Sequence, residues 1–96
     1  MTSLCIPRVN TSITKSQIYK TLETIDFCIL DRIDLIRIKN NKGQEFQRVF
    51  IHIKRWNTTD SAIFIKERLM TGRDIKVVYD FPWFWKISLT KSKNVM

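Results

Sequence analysis

The clearest pattern along the chain is a pair of segments in which apolar residues occupy every second position. Segments 27–39 and 46–56 both alternate in this way, which is typical of strands with one buried face. The run Asn-Asn-Lys-Gly at 40–43 is a strong turn signal between them, so the two strands are predicted to form an antiparallel hairpin. The predicted core positions of the hairpin are Ile33, Leu35, Val49, Ile51 and Ile53. The opposite face of the returning strand then carries Arg48, Phe50 and His52.

Two further segments repeat their apolar residues at helical spacing. The first opens with a capping box formed by Thr14 and Gln17 and is expected to end at Asp26. The second opens in the cap-rich stretch 57–60 and is expected to end at Gly72. The core stripes of the two helices are Ile18, Leu22 and Ile25 in the first and Ala62, Ile65 and Leu69 in the second.

A short apolar run at 3–9 and another at 74–79 predict the first and last strands. The resulting order is strand, helix, strand, strand, helix, strand. It predicts an α+β fold, a ferredoxin-like βαββαβ sandwich with a four-stranded antiparallel sheet and two helices on one face. Residues 1–80 would form this domain, and residues 81–96 an aromatic and basic C-terminal extension.

The charge of the chain points to its partners. The chain has seventeen Lys and Arg residues and nine Asp and Glu residues, which gives a net charge of +8 on 96 residues. A field of this sign favours polyanions, most simply nucleic acid, although solubility alone is the alternative explanation. Two separated cysteines and one histidine leave no zinc site, so no metal or cofactor is expected. The sequence contains no signal-peptide or membrane-spanning run, which predicts an intracellular protein of the cytoplasm or nucleus.

The segment SAIFIKERLMTGRDIKVV, residues 61–78, resembles the second helix and last strand of the RNA-recognition-motif (RRM) family. The matching positions around the last strand are Gly72, Arg73, Ile75 and Val77, and LDRIDLIRI resembles the second strand of the family. This resemblance covers nearly the whole chain and implies an RNA-binding fold. The segment YDFPWFWK is also similar to the end of small RRM-like proteins of large DNA viruses.

The RNA-binding motifs of the family are only partly kept. The third-strand octamer of the family falls on FQRVFIHI, where the two exposed aromatic places are Arg48 and Phe50. The first-strand hexamer falls on LCIPRV, where the exposed aromatic place is Cys5. Two of the three base-stacking platforms that the resemblance implies are therefore replaced.

Phe50 is the leading candidate for stacking a base; the alternative is that the C-terminal segment covers it. Arg48 and His52 flank it, with ordinary solvation as the alternative for both. Arg37, Lys39 and Lys42, together with Arg48, form a candidate basic rim for phosphates, again with solvation as the alternative for each lysine. The proposed RNA-binding residues are Phe50, Arg48, His52, Arg37, Lys39, Lys42, Trp83 and Trp85. Among Trp56, Trp83, Phe84 and Trp85, intramolecular packing is favoured for two of the four, and the other two are binding candidates.

The function predicted from these residues is single-stranded RNA binding through a basic sheet face with a reduced aromatic platform. The alternative is a protein–protein interaction or dimerisation module that uses Trp56, Trp83 and Trp85. An enzyme is not predicted. The loop at 8–12 has no glycine to cradle a phosphate, and spacing marks no nucleophile or orienting carboxylate for His52.

Overall fold

Five strands and two helices make up residues 2–90, the part of the chain that the computed structural model describes. In chain order they are β1 (Thr2–Val9), α1 (Lys15–Ile25), β2 (Cys28–Lys39), β3 (Glu45–Trp56), α2 (Asp60–Met70), β4 (Ile75–Asp80) and β5 (Trp83–Leu89). Each helix has eleven residues, and none in residues 2–90 is long and apolar enough to cross a membrane.

The sheet corrects the predicted architecture. The strands lie in the order β2-β3-β1-β5-β4, and all their pairings are antiparallel. The α+β class is confirmed, but the four-stranded ferredoxin-like sheet is wrong because the sheet has five strands. The predicted last strand, now β4, is at the outer edge, and β5 occupies the place beside β1.

The fifth strand follows from the sequence WFWKISL, which alternates as a half-buried strand does. Trp85 and Ile87 are buried, and in the β4–β5 register they pair with Val77 and Ile75. Pairing four apolar side chains on one face of a hairpin removes them from water together, which extends the core by one strand. Residues 83–89, expected to belong to an extension, are therefore part of the sheet.

Local hydrogen bonds define the ends of the helices. The capping box before α1 is present: Thr14 Oγ1 accepts from the Gln17 backbone N–H at 3.2 Å, and Gln17 Oε1 accepts from the Thr14 N–H at 2.8 Å. Asp26 ends the same helix in the left-handed conformation, with φ of 55°. Buried Gln47 on β3 donates to the carbonyls of Asn10 and Ile13, both at 2.9 Å. These bonds fix the loop that leads from the sheet into α1.

The core lies on one face of the sheet. Both helices pack there, contributing Ile18, Leu22, Ala62 and Leu69 to a single cluster of buried residues. The strands contribute Leu4, Ile6, Val9, Ile33, Val49, Ile51, Ile53, Ile75, Val77, Trp85 and Ile87. The other face of the sheet, which carries neither helix, is called the open face below.

Candidate nucleic-acid interface

The open face combines aromatic and basic side chains across all five strands. Residues directly opposite each other in a sheet point to the same side, so the pairing register assigns this face. Its members include Ser3, Cys5, Arg32, Asp34, Ile36, Phe46, Arg48, Phe50, His52, Lys76, Val78, Phe84, Lys86 and Ser88.

Phe50 occupies the middle of this face. On β3 it pairs with Asp34 of β2 on one side and with Cys5 of β1 on the other. It is half-buried, and it lines a depression of about 390 Å³ together with Ser3, His52 and Met70, the last residue of α2. Strand β5 lies within the sheet, one strand beyond β1, rather than across Phe50. The end of the chain, residues 91–96, is outside the described residues.

Phe84 is a second aromatic on the open face, which the sequence reading did not assign to a face. It is 43% exposed and pairs with Val78 of β4. Two strand spacings, about 10 Å, and four residues, about 13 Å, separate it from Phe50, a diagonal of about 17 Å. The alternation of WFWKISL was the signal that could have placed Phe84 on this side.

A third aromatic, Phe46, lies beneath an arginine. The Arg8 guanidinium carbon is 4.4 Å from the centre of the Phe46 ring, and Lys76 Nζ is 5.1 Å from that of Phe84. Cations within about 6 Å of a ring face are attracted to it. Two of the three open-face aromatics therefore have a positive charge beside them.

The cations of this face are arranged in a way that favours an anion. Lys76 and Lys86 are directly opposite each other in the β4–β5 register. Like charges in that position destabilise a sheet, and a phosphate between them would relieve the repulsion. Arg48 lies between Phe46 and Phe50 on β3, and it is exposed. None of these three cations is in a salt bridge among residues 2–90.

Asp34 is a carboxylate in the middle of these basic residues, and two polar side chains, His52 and Arg32, hold it. His52 Nε2 lies 2.8 Å from Asp34 Oδ2, and Arg32 Nε donates to the same oxygen at 3.3 Å. Ser3 Oγ lies 2.9 Å from the other ring nitrogen of His52. The hydrogen bond from His52, followed by that from Arg32, holds the pKa of Asp34 below its usual value. At neutral pH this carboxylate is an anion that can only accept hydrogen bonds.

The predicted basic rim is divided between the two faces. Arg37 pairs with buried Gln47, and Lys39 with Glu45, so both lie on the helix side of the hairpin rather than beside Phe50. Arg37 Nη1 also lies 3.4 Å from Glu45 Oε2 in an exposed salt bridge. Lys42 belongs to the turn between β2 and β3. Of the rim residues, Arg48 shares the face of Phe50.

The three tryptophans have different environments. Trp85 is 3% exposed and stacks on Tyr79, with ring centres 4.3 Å apart, on the core side. Trp56 is half-buried against Phe27 at 5.8 Å. Trp83 is 64% exposed at the start of β5. Trp83 is thus the tryptophan with a large surface available to a partner.

Both cysteines, Cys5 and Cys28, are free thiols. Burial raises the pKa of Cys28 to about 12, with a smaller contribution from the charge of Asp26. Burial also raises the pKa of Cys5, although the nearby Arg48 charge opposes the shift. Within residues 2–90, no group of three or more His, Cys, Asp and Glu side chains could hold a metal ion.

Any assignment of function to this chain depends on these geometric features, because comparison with known proteins finds no relative. No protein-family model, no curated protein and no solved structure matches the chain.

Proposed function

We propose that the protein binds single-stranded RNA on the open face of its sheet. The observation that carries the proposal is the placement of Phe50 and Phe84, with cations between and beside them, on the side that both helices leave free. Aromatic platforms on a basic surface suit unpaired bases and their phosphates. The resemblance of the second helix and following strand to the RRM family supports the same function. We also propose that the protein is intracellular and that it comes from a virus.

The expected binding free energy has two sources. Stacking on an aromatic side chain is worth about 1–3 kcal/mol per base. Arg8, Arg48, Lys76 and Lys86 would contact phosphates and release counterions from the strand. Four such contacts predict that log K falls with log salt at a slope of about −3 for a single strand. Phosphate contacts carry little sequence information, so affinity should depend strongly on salt and modestly on sequence.

Fluorescence anisotropy with a labelled single-stranded RNA of ten nucleotides tests the proposal. We expect binding at micromolar protein in 50 mM salt, and a marked loss at 300 mM. Arg48→Glu should weaken binding, whereas Lys20→Glu should have a much smaller effect. Lys20 makes a suitable control because it is also an exposed cation but lies on α1, on the helix side of the sheet. Absence of binding at low salt, or equal losses from the two variants, would contradict the proposal.

A protein contact or homodimer is the second candidate function, and exposed apolar residues around β4 favour it. Val78, Phe81 and Trp83 are exposed where β4, an edge strand, turns into β5. Edge strands present unpaired backbone groups to a partner. Light scattering at increasing protein concentration tests self-association. A mass that rises with concentration and returns to that of the monomer in Trp83→Ala would support it, and a constant monomer mass would remove the dimer.

A further inference from the structure

Asp34 has an unusual position for a carboxylate in a chain of net charge +8. It lies directly opposite Phe50, the central aromatic of the open face, and its side chain is 41% exposed. Directly opposed residues have their Cβ atoms about 4.5–5.5 Å apart. The edge of a base that stacked on the Phe50 ring would therefore extend to within reach of the Asp34 carboxylate.

The hydrogen bonds around Asp34 hold it in one orientation. An ionised carboxylate only accepts, so His52 must carry its hydrogen on Nε2 to donate to Asp34 Oδ2 over 2.8 Å. In the neutral ring Nδ1 is then an acceptor, and Ser3 Oγ donates to it over 2.9 Å. Arg32 also donates to Oδ2. Within residues 2–90, Oδ1 accepts no side-chain or backbone hydrogen bond.

The free oxygen is thus a fixed anionic acceptor beside an aromatic platform. It repels phosphate, and it repels the carbonyl oxygens that flank the single N–H of uracil. Adenine and cytosine each offer it one amino group. Guanine offers two adjacent donors, N1–H and the N2 amino group, on its Watson–Crick edge, and single-stranded bases expose that edge to proteins.

We propose that Asp34 makes the Phe50 position selective for guanine. The proposal rests on single-stranded RNA binding at the open face, and it adds the base that this position prefers. Asp34 reads the base, while His52, Arg32 and Ser3 are positioning residues that hold its carboxylate. By comparison with other paired contacts to base edges, the preference for guanine over uracil is expected to be about tenfold.

Four labelled eight-nucleotide RNAs test this inference. Each has uridine at seven positions and G, A, C or U at the fourth, and affinities are measured by anisotropy in 50 mM salt at pH 7. The wild-type protein should bind the guanine oligonucleotide about tenfold more tightly than the all-uridine one. Asp34→Asn should reduce that ratio to about two without weakening the all-uridine complex, because the substitution removes a negative charge.

Asp31→Asn is the matched control, since Asp31 is an exposed carboxylate on the same strand at the register shift, away from the Phe50 pair. It should keep the guanine preference. Asp34→Glu moves the carboxylate outward by one methylene and should lose most of the guanine preference. It replaces Asp34→Asn in the experiment if the Asn variant does not fold.

The outcomes separate the two proposals. Equal affinity of the wild type for all four RNAs, or an unchanged guanine preference in both Asp34 variants, would overturn the role of Asp34 while leaving RNA binding intact. Failure of the wild type to bind any of them would overturn RNA binding itself, and the role of Asp34 with it.

Discussion

Removing the two aromatic platforms from the open face should weaken RNA binding in proportion to the stacking they provide. Phe50→Ala and Phe84→Ala each delete one ring that a base can cover, at about 1–3 kcal/mol per base. This corresponds to losses of about 5- to 150-fold for each substitution. The two rings are about 17 Å apart along the diagonal of the sheet, as calculated from strand spacing and rise. At such a distance the losses should add, giving about 2–6 kcal/mol for the double variant.

The assay is anisotropy with the ten-nucleotide RNA at fixed salt, so that the electrostatic contribution stays constant across variants. Phe64→Ala is the matched control. Phe64 is 65% exposed on α2, so its substitution removes the same ring from the helix side of the molecule. We expect its RNA affinity to equal that of the wild type. Circular dichroism on each variant confirms that the fold is retained.

A double variant that binds as tightly as the wild type would refute the stacking model. Equal losses from Phe64→Ala and Phe50→Ala would refute it as well, because they would show that any exposed ring contributes. The slope of log K against log salt should be the same in the double variant and in the wild type, because replacing a phenylalanine removes no phosphate contact.

Four other outcomes follow from the geometry. Bound RNA should protect Cys5, on the open face, from a thiol reagent at pH 8. The reaction of Cys28 should be slow, because its pKa is about 12, and RNA should not change it. Mass spectrometry of the labelled peptides measures both reactions. Thr14→Ala removes the cap of α1 and should lower the free energy of unfolding by about 1 kcal/mol in urea titrations. Ile51→Ala, at a fully buried position of β3, should cost about 2–5 kcal/mol in the same assay. Because the folded-state pKa of Asp34 is lowered, its contribution to stability is present above the unfolded value of about 3.9 and is lost as pH falls through the folded value. Acid titrations of wild type and Asp34→Asn should therefore differ near neutral pH and converge in strong acid.

Much of the fold could be predicted because its signals are local. The capping box at Thr14 and the turn before Gly43 are short-range patterns, and the six predicted elements begin and end within two residues of the predicted bounds. The place of β5 beside β1 depends on contacts between residues 83 and 85 positions apart in the chain, such as Leu4 with Leu89. The strand count was wrong because segment 83–89, whose alternation is a local signal, was assigned to an extension. Nothing local places that segment, rather than β4, beside β1.

The alternation of side chains along a strand was the only sequence signal that predicted part of the candidate site. Parity placed Phe50 opposite the core, but it left Arg48, Phe50 and His52 all compatible as the partner of Asp34. The geometry of the turn selects among them, since Lys39 pairs with Glu45 and the register then brings Asp34 to Phe50. The bond from Asp34 to His52 is a diagonal contact between neighbouring strands, which spacing along the chain does not mark.

Mapping of amide chemical shifts by nuclear magnetic resonance most directly tests the proposal that the open face binds RNA. The ¹⁵N-labelled protein is titrated with the eight-nucleotide guanine-containing RNA at low salt. The account predicts that the largest shifts fall in β1, β3 and β5, around Cys5, Phe50 and Phe84, with α1 and α2 little affected. Shifts confined to the helices or to the outer edge of β4, or no shifts at all, would contradict it.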